Sequence, residues 1–315
     1  MRRLILARLA DLALVLLAVS LLVFFMIRLI PGDAVAIMLG ANTEVTPDRV
    51  AALRARIGLD QPVLTQYAGW IGGALRGDFG VSLWTGRPVA EEIVTHLWPT
   101  LQLTVLSLLM AAGLAVPAGC LMARYHGRWA DAVMRVATIA GLTIPSFWLA
   151  IVLILVLAAL FPTAQALGYV PFSQDPLGNI ARLALPAFCL GLPILANLSR
   201  LLRSAMLEAL GQDYIRTARA KGASDSAVLY KHALRNALIP FVTSLGIMTG
   251  YLIGGSIVIE QVFAIPGLGR LILGAIAERN YPLLQAVILV VAAGFVVVNF
   301  LVDLLYAAID PRVRL

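Results

Sequence analysis

Residues 136–160 read VATIAGLTIPSFWLAIVLILVLAAL, a run without a single charged side chain. About 20 apolar residues in a helix cross the roughly 30 Å hydrocarbon core of a bilayer, so this run is long enough to do so. A strand of a transmembrane barrel would alternate polar and apolar residues, and this run does not. The run therefore predicts a membrane-spanning helix.

Five further charge-free windows show the same pattern, at residues 12–27, 97–123, 183–199, 237–259 and 281–302. Backbone groups in lipid must be hydrogen-bonded within the segment, which leaves helices as the expected form. With their flanking residues, the six predicted spans are 9–30, 97–123, 136–160, 183–203, 237–260 and 281–305. The predicted fold class is an all-α integral membrane protein with six transmembrane helices in one domain, 1–315.

The overall composition agrees with a membrane protein. The chain has 315 residues, of which 61% are hydrophobic and 13% are charged, and its mean hydropathy is +0.92. Soluble domains carry about 45–50% apolar and about 25% charged residues. This composition excludes a soluble enzyme, a disordered chain and a disulfide-rich secreted module. The two cysteines, Cys120 and Cys189, lie inside apolar runs and are expected to be buried thiols.

The distribution of basic residues predicts the orientation. Of the 24 Lys and Arg residues, 15 fall in the segments on the amino-terminal side of the predicted spans, 1–8, 124–135, 200–235 and 310–315. Only 8 fall on the opposite side, in segments 31–96, 161–182 and 260–280. Basic residues favour the cytoplasmic side. Both termini and the loop 204–236 are therefore expected in the cytoplasm, and segment 31–96 outside.

The external segment 31–96 has local features of its own. Thr46 is a good helix N-cap, Pro47 suits a first helical position, and Gly58 suits a helix end. A helix is therefore expected near Pro47–Ile57, followed by glycine-rich turns around Gly72–Gly80.

The chain lacks the usual signs of catalysis, metal binding or nucleotide binding. Its three histidines, His96, His126 and His232, are far apart and have no metal-ligand spacing. A P-loop needs Gly-Lys followed by Ser or Thr, and neither Lys221 nor Lys231 follows a glycine. We therefore expect no catalytic residue, no metal site and no ATP site. Energy for uphill transport would come from an ion gradient or from another subunit.

Ionisable residues near the spans are few: Asp11, Arg28, Glu260 and Asp303. Each lies within a turn or two of a predicted span boundary, where a long side chain reaches the interface at little cost. A proton- or sodium-coupled carrier usually has charged groups deeper in the membrane. Their scarcity argues against that class.

The cytoplasmic stretch 200–240 reads RLLRSAMLEALGQDYIRTARAKGASDSAVLYKHALRNALIP. Its first half predicts a helix with Tyr214, Ile215 and Ala218 on one face and Arg216 and Arg219 on another.

Gly222 is placed to end that helix in the left-handed conformation. Ser224 or Asp225 is placed to cap a second helix over Ala227–Asn236. Two short helices meeting at a glycine form a compact knob that fits a groove on a partner. A basic loop lying on anionic lipid is the alternative, and the pattern alone leaves both open.

Two stretches of this loop, DYIRTARAKG at Asp213–Gly222 and KHALRNALIP at Lys231–Pro240, resemble the cytoplasmic loop of ABC-importer permeases. The general family pattern has Glu-Ala-Ala where this chain has Arg216-Thr217-Ala218, so the acidic position is lost. The variant seen here resembles the dipeptide/oligopeptide/nickel importer branch, specifically its first permease subunit.

Three further motifs resemble that branch and occur at matching positions: Pro31-Gly32-Asp33 after the first span, Glu260 with Phe263 and Pro266-Gly267-Leu268-Gly269 after the fifth, and Asp303 with Asp310-Pro311-Arg312 at the end. A PGD tripeptide alone is usually only a turn. Together and in order, these motifs extend the resemblance over essentially the whole chain.

The resemblance implies a type I ABC importer permease fold in a bacterial inner membrane, and it implies a set of partners. These are a second homologous permease subunit, two cytoplasmic ATPases that bind ATP and Mg, an external solute-binding protein and the lipid bilayer. Nucleic acid is not among them, and this chain is expected to hold no cofactor and to be a transport subunit, not an enzyme.

The resemblance also assigns roles to residues. The expected ATPase-coupling residues are Asp213, Tyr214, Ile215, Arg216, Thr217, Ala218, Arg219, Lys221 and Gly222. In that role Tyr214, Ile215 and Ala218 would fill a groove on the ATPase, and the cations would orient docking. The expected translocation-path residues are Thr249, Ser256, Glu260, Gln261 and Asn299. Residues 47–82 are the expected landing surface for the binding protein.

The cargo is less defined than the architecture. Peptides are the commonest cargo of the branch, and nickel, glutathione and opine-like compounds use near-identical permeases. A stand-alone secondary carrier is a separate class, but it would need inverted repeats or discontinuous charged spans, and neither is evident. A membrane-embedded hydrolase would need a nucleophile–base pair, and the sequence offers none.

Overall fold

A computed structural model describes the backbone at residues 2–29, 60–161 and 167–309, and side chains over most of those ranges. Within these ranges the chain is helical, apart from turns and an isolated bridge between Val81 and Pro88. This confirms the all-α expectation for the described part of the chain. The predicted helix 47–57 and the motifs at 31–33 and 310–312 lie outside it.

The helices, numbered here in chain order, are α1 (Arg2–Leu29), α2 (Val63–Ala74), α3 (Val89–Arg124), α4 (Trp129–Thr143), α5 (Ser146–Leu160), α6 (Pro176–Leu210), α7 (Asp213–Ala220), a π-helix (Ala227–Ala233), α8 (Leu234–Val262), α9 (Leu268–Ala277) and α10 (Tyr281–Ile309).

Several of these helices suit a membrane. Among the described residues, α3, α6 and α10 are each long and apolar enough to cross a bilayer by themselves. The number rises to five if two bent pairs of helical segments, α4 with α5 and Ala227–Gly250 with Gly255–Val262, each form one span. The described side chains of α1 give a shorter apolar helix, Ala10–Met26. The chain is therefore a multi-pass membrane protein.

The span predicted at 136–160 is not one straight helix. Helix α4 ends at Thr143, α5 begins at Ser146, and their axes meet at 104°. Pro145 has no backbone N–H to donate, and its ring disfavours a helical conformation in the preceding residue. Ile144 and Pro145 are accordingly both extended. A prediction from apolar length alone could not include this break.

Helix α6 extends beyond the predicted bounds of 183–203 at both ends. Asp175 caps its start, because the carboxylate Oδ1 accepts the backbone N–H of Gly178 at 2.9 Å. Pro176 occupies the first turn, where its missing N–H costs nothing. At the other end the helix continues to Leu210, directly before the predicted knob.

The chain divides into two compact units. Unit 1 comprises residues 1–99 and 266–297, and unit 2 comprises residues 100–265 and 298–315. In unit 1, α1 packs on α2 through Phe24 and Tyr67, whose ring centroids are 5.2 Å apart. The buried Asn280 donates to Ser82 Oγ at 2.8 Å and accepts the N–H of Leu83 at 3.3 Å. These bonds attach the turn around residue 82 to the end of α9.

Unit 2 is built around α6. A β-carbon at Gly191 would lie 2.8 Å from the Ser107 carbonyl oxygen, and one at Gly119 would lie 2.8 Å from Leu202. Helix α3 therefore runs parallel to α6 and touches it closely at both glycines. Helix α4 runs antiparallel, because its start contacts Arg203 while Gly141 further along contacts Ala196. The turn at 125–128 and the segment after Leu210 thus lie at the same end of unit 2.

Candidate functional site

The knob, defined here as residues 211–226, follows α6 without a flexible linker. Its helix, α7, begins after Gln212 and carries Asp213 in its first turn and Arg219 in its last. An acid at the start and a base at the end both favour the helix dipole. The predicted helix is confirmed.

Gly222 ends α7 as the sequence predicts. Its φ is +82°, in the left-handed region. The Gly222 N–H bonds the Arg219 carbonyl at 2.9 Å, and the Ala223 N–H bonds the Ala218 carbonyl at 3.1 Å. This pair of bonds is the Schellman motif, which satisfies the last carbonyls of a helix. The turn that gives the knob its shape is therefore fixed by hydrogen bonds.

Two side chains hold α7 against the rest of unit 2. Ile215 is 0% exposed and belongs to the hydrophobic core. The Tyr214 hydroxyl accepts a hydrogen bond from Asn236 Nδ2 at 2.7 Å, which ties α7 to the start of α8. Asn236 was not among the predicted site residues, because its sequence neighbours give no sign of this contact.

The role expected for Ile215 needs correction. A side chain enclosed in its own subunit cannot fill a groove on a partner in this conformation. Ile215 is the one large aliphatic residue of this eight-residue helix, and its burial anchors the helix to the rest of the subunit. Tyr214, 40% exposed, and the half-buried Ala218 retain surface, although Tyr214 is engaged with Asn236.

The exposed side of the knob is cationic. Arg216, Arg219 and Lys221 are exposed, as is Thr217. Arg216 lies 3.2 Å from Asp213, with side chains 78% and 93% exposed. A pair so exposed is screened by water and contributes little to stability. The three cations therefore remain accessible to an acidic surface.

The second arm of the knob differs from the prediction. Ser224 caps it as expected, since its Oγ accepts the Ala227 N–H at 3.3 Å. The helix that follows, however, is a π-helix over Ala227–Ala233 that continues directly into α8. Its wider turns bury Val228, Leu229 and Ala233. Hydrophobic spacing does not distinguish these wider turns from α-helix over so few residues.

The five predicted path residues occupy different environments. Ser256 and Glu260 are 1% and 0% exposed, so neither lines an open path in this conformation. Gln261 is exposed, and Thr249 and Asn299 are half-buried.

The expected position of Glu260 near a membrane interface stays a prediction, and the structure adds a partner for its side chain. Its side chain is 0% exposed, and its carboxylate accepts a hydrogen bond from Thr100 Oγ1 at 2.7 Å. The sequence places Glu260 near a span boundary, but it does not show that α3 supplies a hydroxyl there.

No group of three or more His, Cys, Asp or Glu side chains is positioned for a metal ion among the described residues.

Sequence reasoning missed a contact between the buried Asp131 and the half-buried Arg203, about two helical turns before the knob. The two residues are far apart in the chain, and nothing in their immediate neighbourhoods marks them as partners.

The helices and the knob define a class: a multi-pass membrane protein with an exposed cationic helix at one end of unit 2. Comparison with known families makes this specific. The family described as binding-protein-dependent transport system inner membrane component matches residues 115–315. The N-terminal family of the same membrane components matches residues 1–104. The chain belongs to this family, so it is a transport permease subunit and not an enzyme.

Individual relatives agree along the full length. A peptide transport system permease protein of Brucella abortus (strain 2308) is 40% identical over 314 residues, covering 100% of this chain and 99% of the relative. A similarly named protein of Brucella melitensis biotype 1 is also 40% identical over 314 residues. The glutathione transport system permease protein GsiC of Escherichia coli (strain K12) is 39% identical over 310 residues, 98% of each chain. The resemblance seen in the sequence is confirmed.

Proposed function

We propose that this chain forms half of the translocation path of an ATP-driven importer in a bacterial inner membrane. It has six spans with both termini in the cytoplasm, in the type I ABC importer permease arrangement. Its partners are a second homologous permease subunit, two cytoplasmic ATPases and an external solute-binding protein. ATP and Mg bind to the ATPases, and this chain holds no cofactor.

The helix directions in unit 2 support this orientation. The basic turn at 125–128 and the knob lie at the same end of unit 2, because α4 runs antiparallel to α6. The segments that contain them, 124–135 and 200–235, hold 10 of the 24 Lys and Arg residues, an excess that favours the cytoplasmic side. Membership in an inner-membrane family supports the same location.

The observation that carries the proposal is the knob itself. Its helix is anchored inward by Ile215, tied to α8 through Tyr214 and closed by the bonds at Gly222. The outward side presents three cations on this fixed frame. A rigid projection with a charged face is suited to docking on a protein partner. A loop that only lies on lipid would not need these fixed contacts.

The mechanism follows from linkage between two states. ATP draws the two ATPases together, and a knob docked on each ATPase moves with it. Since α6 enters the knob directly and the π-helix leaves it directly into α8, that movement reaches both helices. The permease then changes from inward-open to outward-open, and hydrolysis resets it. Gln261, Thr249 and Asn299 are the proposed polar groups of the path, and residues 47–82 the landing surface for the binding protein.

Peptide is the proposed cargo. The Brucella relatives are named for peptide transport and the E. coli relative for glutathione, which is itself a tripeptide. Glutathione is therefore the second candidate, ahead of nickel and opine-like compounds. The ligand that co-purifies with the solute-binding protein of this importer, identified by mass spectrometry, decides between them.

Reversal of charge on the knob tests the docking role. We expect Arg219→Glu, expressed together with the partner ATPases and the second permease, to reduce ATPase co-purification about 10-fold, which corresponds to about 1.4 kcal/mol of docking energy. Ala218→Glu should reduce uptake in the same way, by adding a bulky charge beside the same face. Arg124→Glu is the matched control, because Arg124 is exposed at the same end of unit 2 but outside the knob.

Two results would contradict the proposal. Full co-purification and normal uptake by both knob variants would remove the docking role from this face. A purified chain that transports cargo in vesicles without any ATPase would instead be a secondary carrier, and the importer assignment would be wrong.

A further inference from the structure

An ion pair between the half-buried Arg203 and the buried Asp131 joins α6 to α4, about two helical turns before the knob. Asp131, in the first turn of α4, is 1% exposed. Its Oδ1 accepts a hydrogen bond from Arg203 Nε at 2.8 Å, and its Oδ2 accepts one from Arg203 Nη2 at 2.8 Å. This two-pronged geometry fixes the relative position of the two groups as well as their distance.

The surrounding groups complete the pair. The backbone N–H of Gly127 donates to Asp131 Oδ2 at 3.2 Å, from a residue whose φ is +76°. His126 Nδ1 lies 2.9 Å from Arg203 Nη2, and Arg135 Nε lies 3.8 Å from Asp131 Oδ1. Both carboxylate oxygens are therefore engaged by this chain. The cluster is a connection between helices and is not shaped as a ligand site.

A second contact holds the same two helices further along. A β-carbon at Gly141 of α4 would lie 3.3 Å from the Ala196 β-carbon of α6 and 3.4 Å from Leu192. Asp131 and Gly141 are separated by about 15 Å along the helix, at about 1.5 Å per residue. Two helices joined at one point can pivot about it. Joined at two separated points, they move together.

The ion pair also lies close to the knob in the chain. Arg203 precedes Leu210, the last residue of α6, by about two helical turns. Its partner Asp131 lies in the first turn of α4, and α4 leads to the 104° bend and then to α5. A displacement of the knob therefore reaches α6 first, and the ion pair is the polar link from α6 into α4.

We propose that Asp131 and Arg203 are positioning residues for coupling, which make α4 follow α6 when the knob is displaced. The proposal rests on the knob being the ATPase docking site. Removal of one partner also destabilises the fold, because it leaves the other charge unpaired, so the test must be read in complexes that still fold. The pair fixes the position of the start of α4 relative to α6.

The first experiment needs neither ATPase nor cargo. Spin labels are placed on cysteines at Val136 and Glu208, exposed positions on α4 and α6, in the full-length chain in nanodiscs. The native Cys120 and Cys189 are buried and label poorly. We expect a single narrow distance in the parent and in Arg135→Gln, and a broadened distribution in Arg203→Gln. Arg135→Gln is the control because Arg135 is a cation beside the same carboxylate but outside the paired geometry.

The second experiment measures coupling in the reconstituted importer. Asp131→Asn and Arg203→Gln should each lower the cargo imported per ATP hydrolysed about 10-fold, with hydrolysis itself retained. The exchanged pair, Asp131→Arg with Arg203→Asp, should recover part of that ratio. A merely structural pair would lower the amount of folded complex and leave the ratio unchanged in what remains.

The outcomes separate cleanly. An unchanged distance distribution in Arg203→Gln overturns the proposal, and so does an unchanged import ratio in complexes that still bind the ATPases. If the chain binds no ATPase at all, the proposed function fails and the coupling proposal fails with it, while the distance measurement still shows whether the pair holds the two helices together.

Discussion

Two helix ends in unit 2 have the same hydrogen-bond pattern but different residues. At the end of α7, Gly222 takes the left-handed position and the half-buried Ala223 follows it. At the end of α8, Ala264 takes that position with φ +54°, and Ile265 follows with 0% exposure. The Ile265 N–H bonds the Glu260 carbonyl at 2.9 Å, and the Ala264 N–H bonds the Gln261 carbonyl at 3.4 Å.

The comparison separates two ways of ending a helix. The knob relies on glycine, which adopts a positive φ without strain. The end of α8 has a strained alanine, at a cost of about 1 kcal/mol, and is held by the burial of the next residue. One end is stable through its own backbone, and the other through its packing.

The largest effect is expected at the packed end. Ile265→Ala should lower the free energy of unfolding by about 2–5 kcal/mol, because it removes a fully buried side chain. The thermal midpoint can be followed in detergent with a thiol-reactive fluorophore, which detects exposure of the buried Cys120 and Cys189. The corresponding change at the knob, Ala223→Gly, should cost about 1 kcal/mol or less. Equal losses at both positions would remove the distinction.

An exchange of residues at the two left-handed positions should give effects of opposite sign. Gly222→Ala should destabilise by about 1 kcal/mol, since alanine is strained at φ +82° and the site has open space around it. Ala264→Gly should relieve strain and be neutral or stabilising by up to about 1 kcal/mol. The same thermal assay measures both. If both variants are destabilised equally, backbone strain is not what distinguishes the two ends.

The smallest effect is expected on the knob surface. Arg216→Gln should change stability by less than about 0.5 kcal/mol, because its pair with Asp213 is screened by water. A double-mutant cycle with Asp213→Asn isolates the interaction energy of the pair. A coupling above about 1 kcal/mol would show that the pair organises the knob, and docking arguments based on free cations would then need revision.

The sequence predicted what depends on local chemistry. Helix α7, its end at Gly222 and the cap at Ser224 follow from residue types within a few positions of each other. Apolar length also predicted the long apolar helices, and among the described residues α3, α6 and α10 are each long enough to cross a bilayer.

The features that sequence missed depend on the whole fold. The left-handed Ala264 is held in place by the burial of Ile265, which its neighbours in the sequence do not show. Asp131 and Arg203 are brought together by the antiparallel packing of α4 on α6. Pro145 lies at the break between α4 and α5, but the size of the bend depends on where α5 packs, and no local rule supplies that angle.

The contacts along α6 determine which of its residues must face α3 and which must face α4. Gly191 faces Ser107 on α3, and Arg203 faces Asp131 on α4. Each added residue rotates a helix by about 100°, so one insertion between Gly191 and Arg203 would turn the guanidinium away from Asp131 while the glycine stayed in place. The number of residues in this stretch is therefore as constrained as their identity, and natural length variation in this protein should be confined to the segments outside α6.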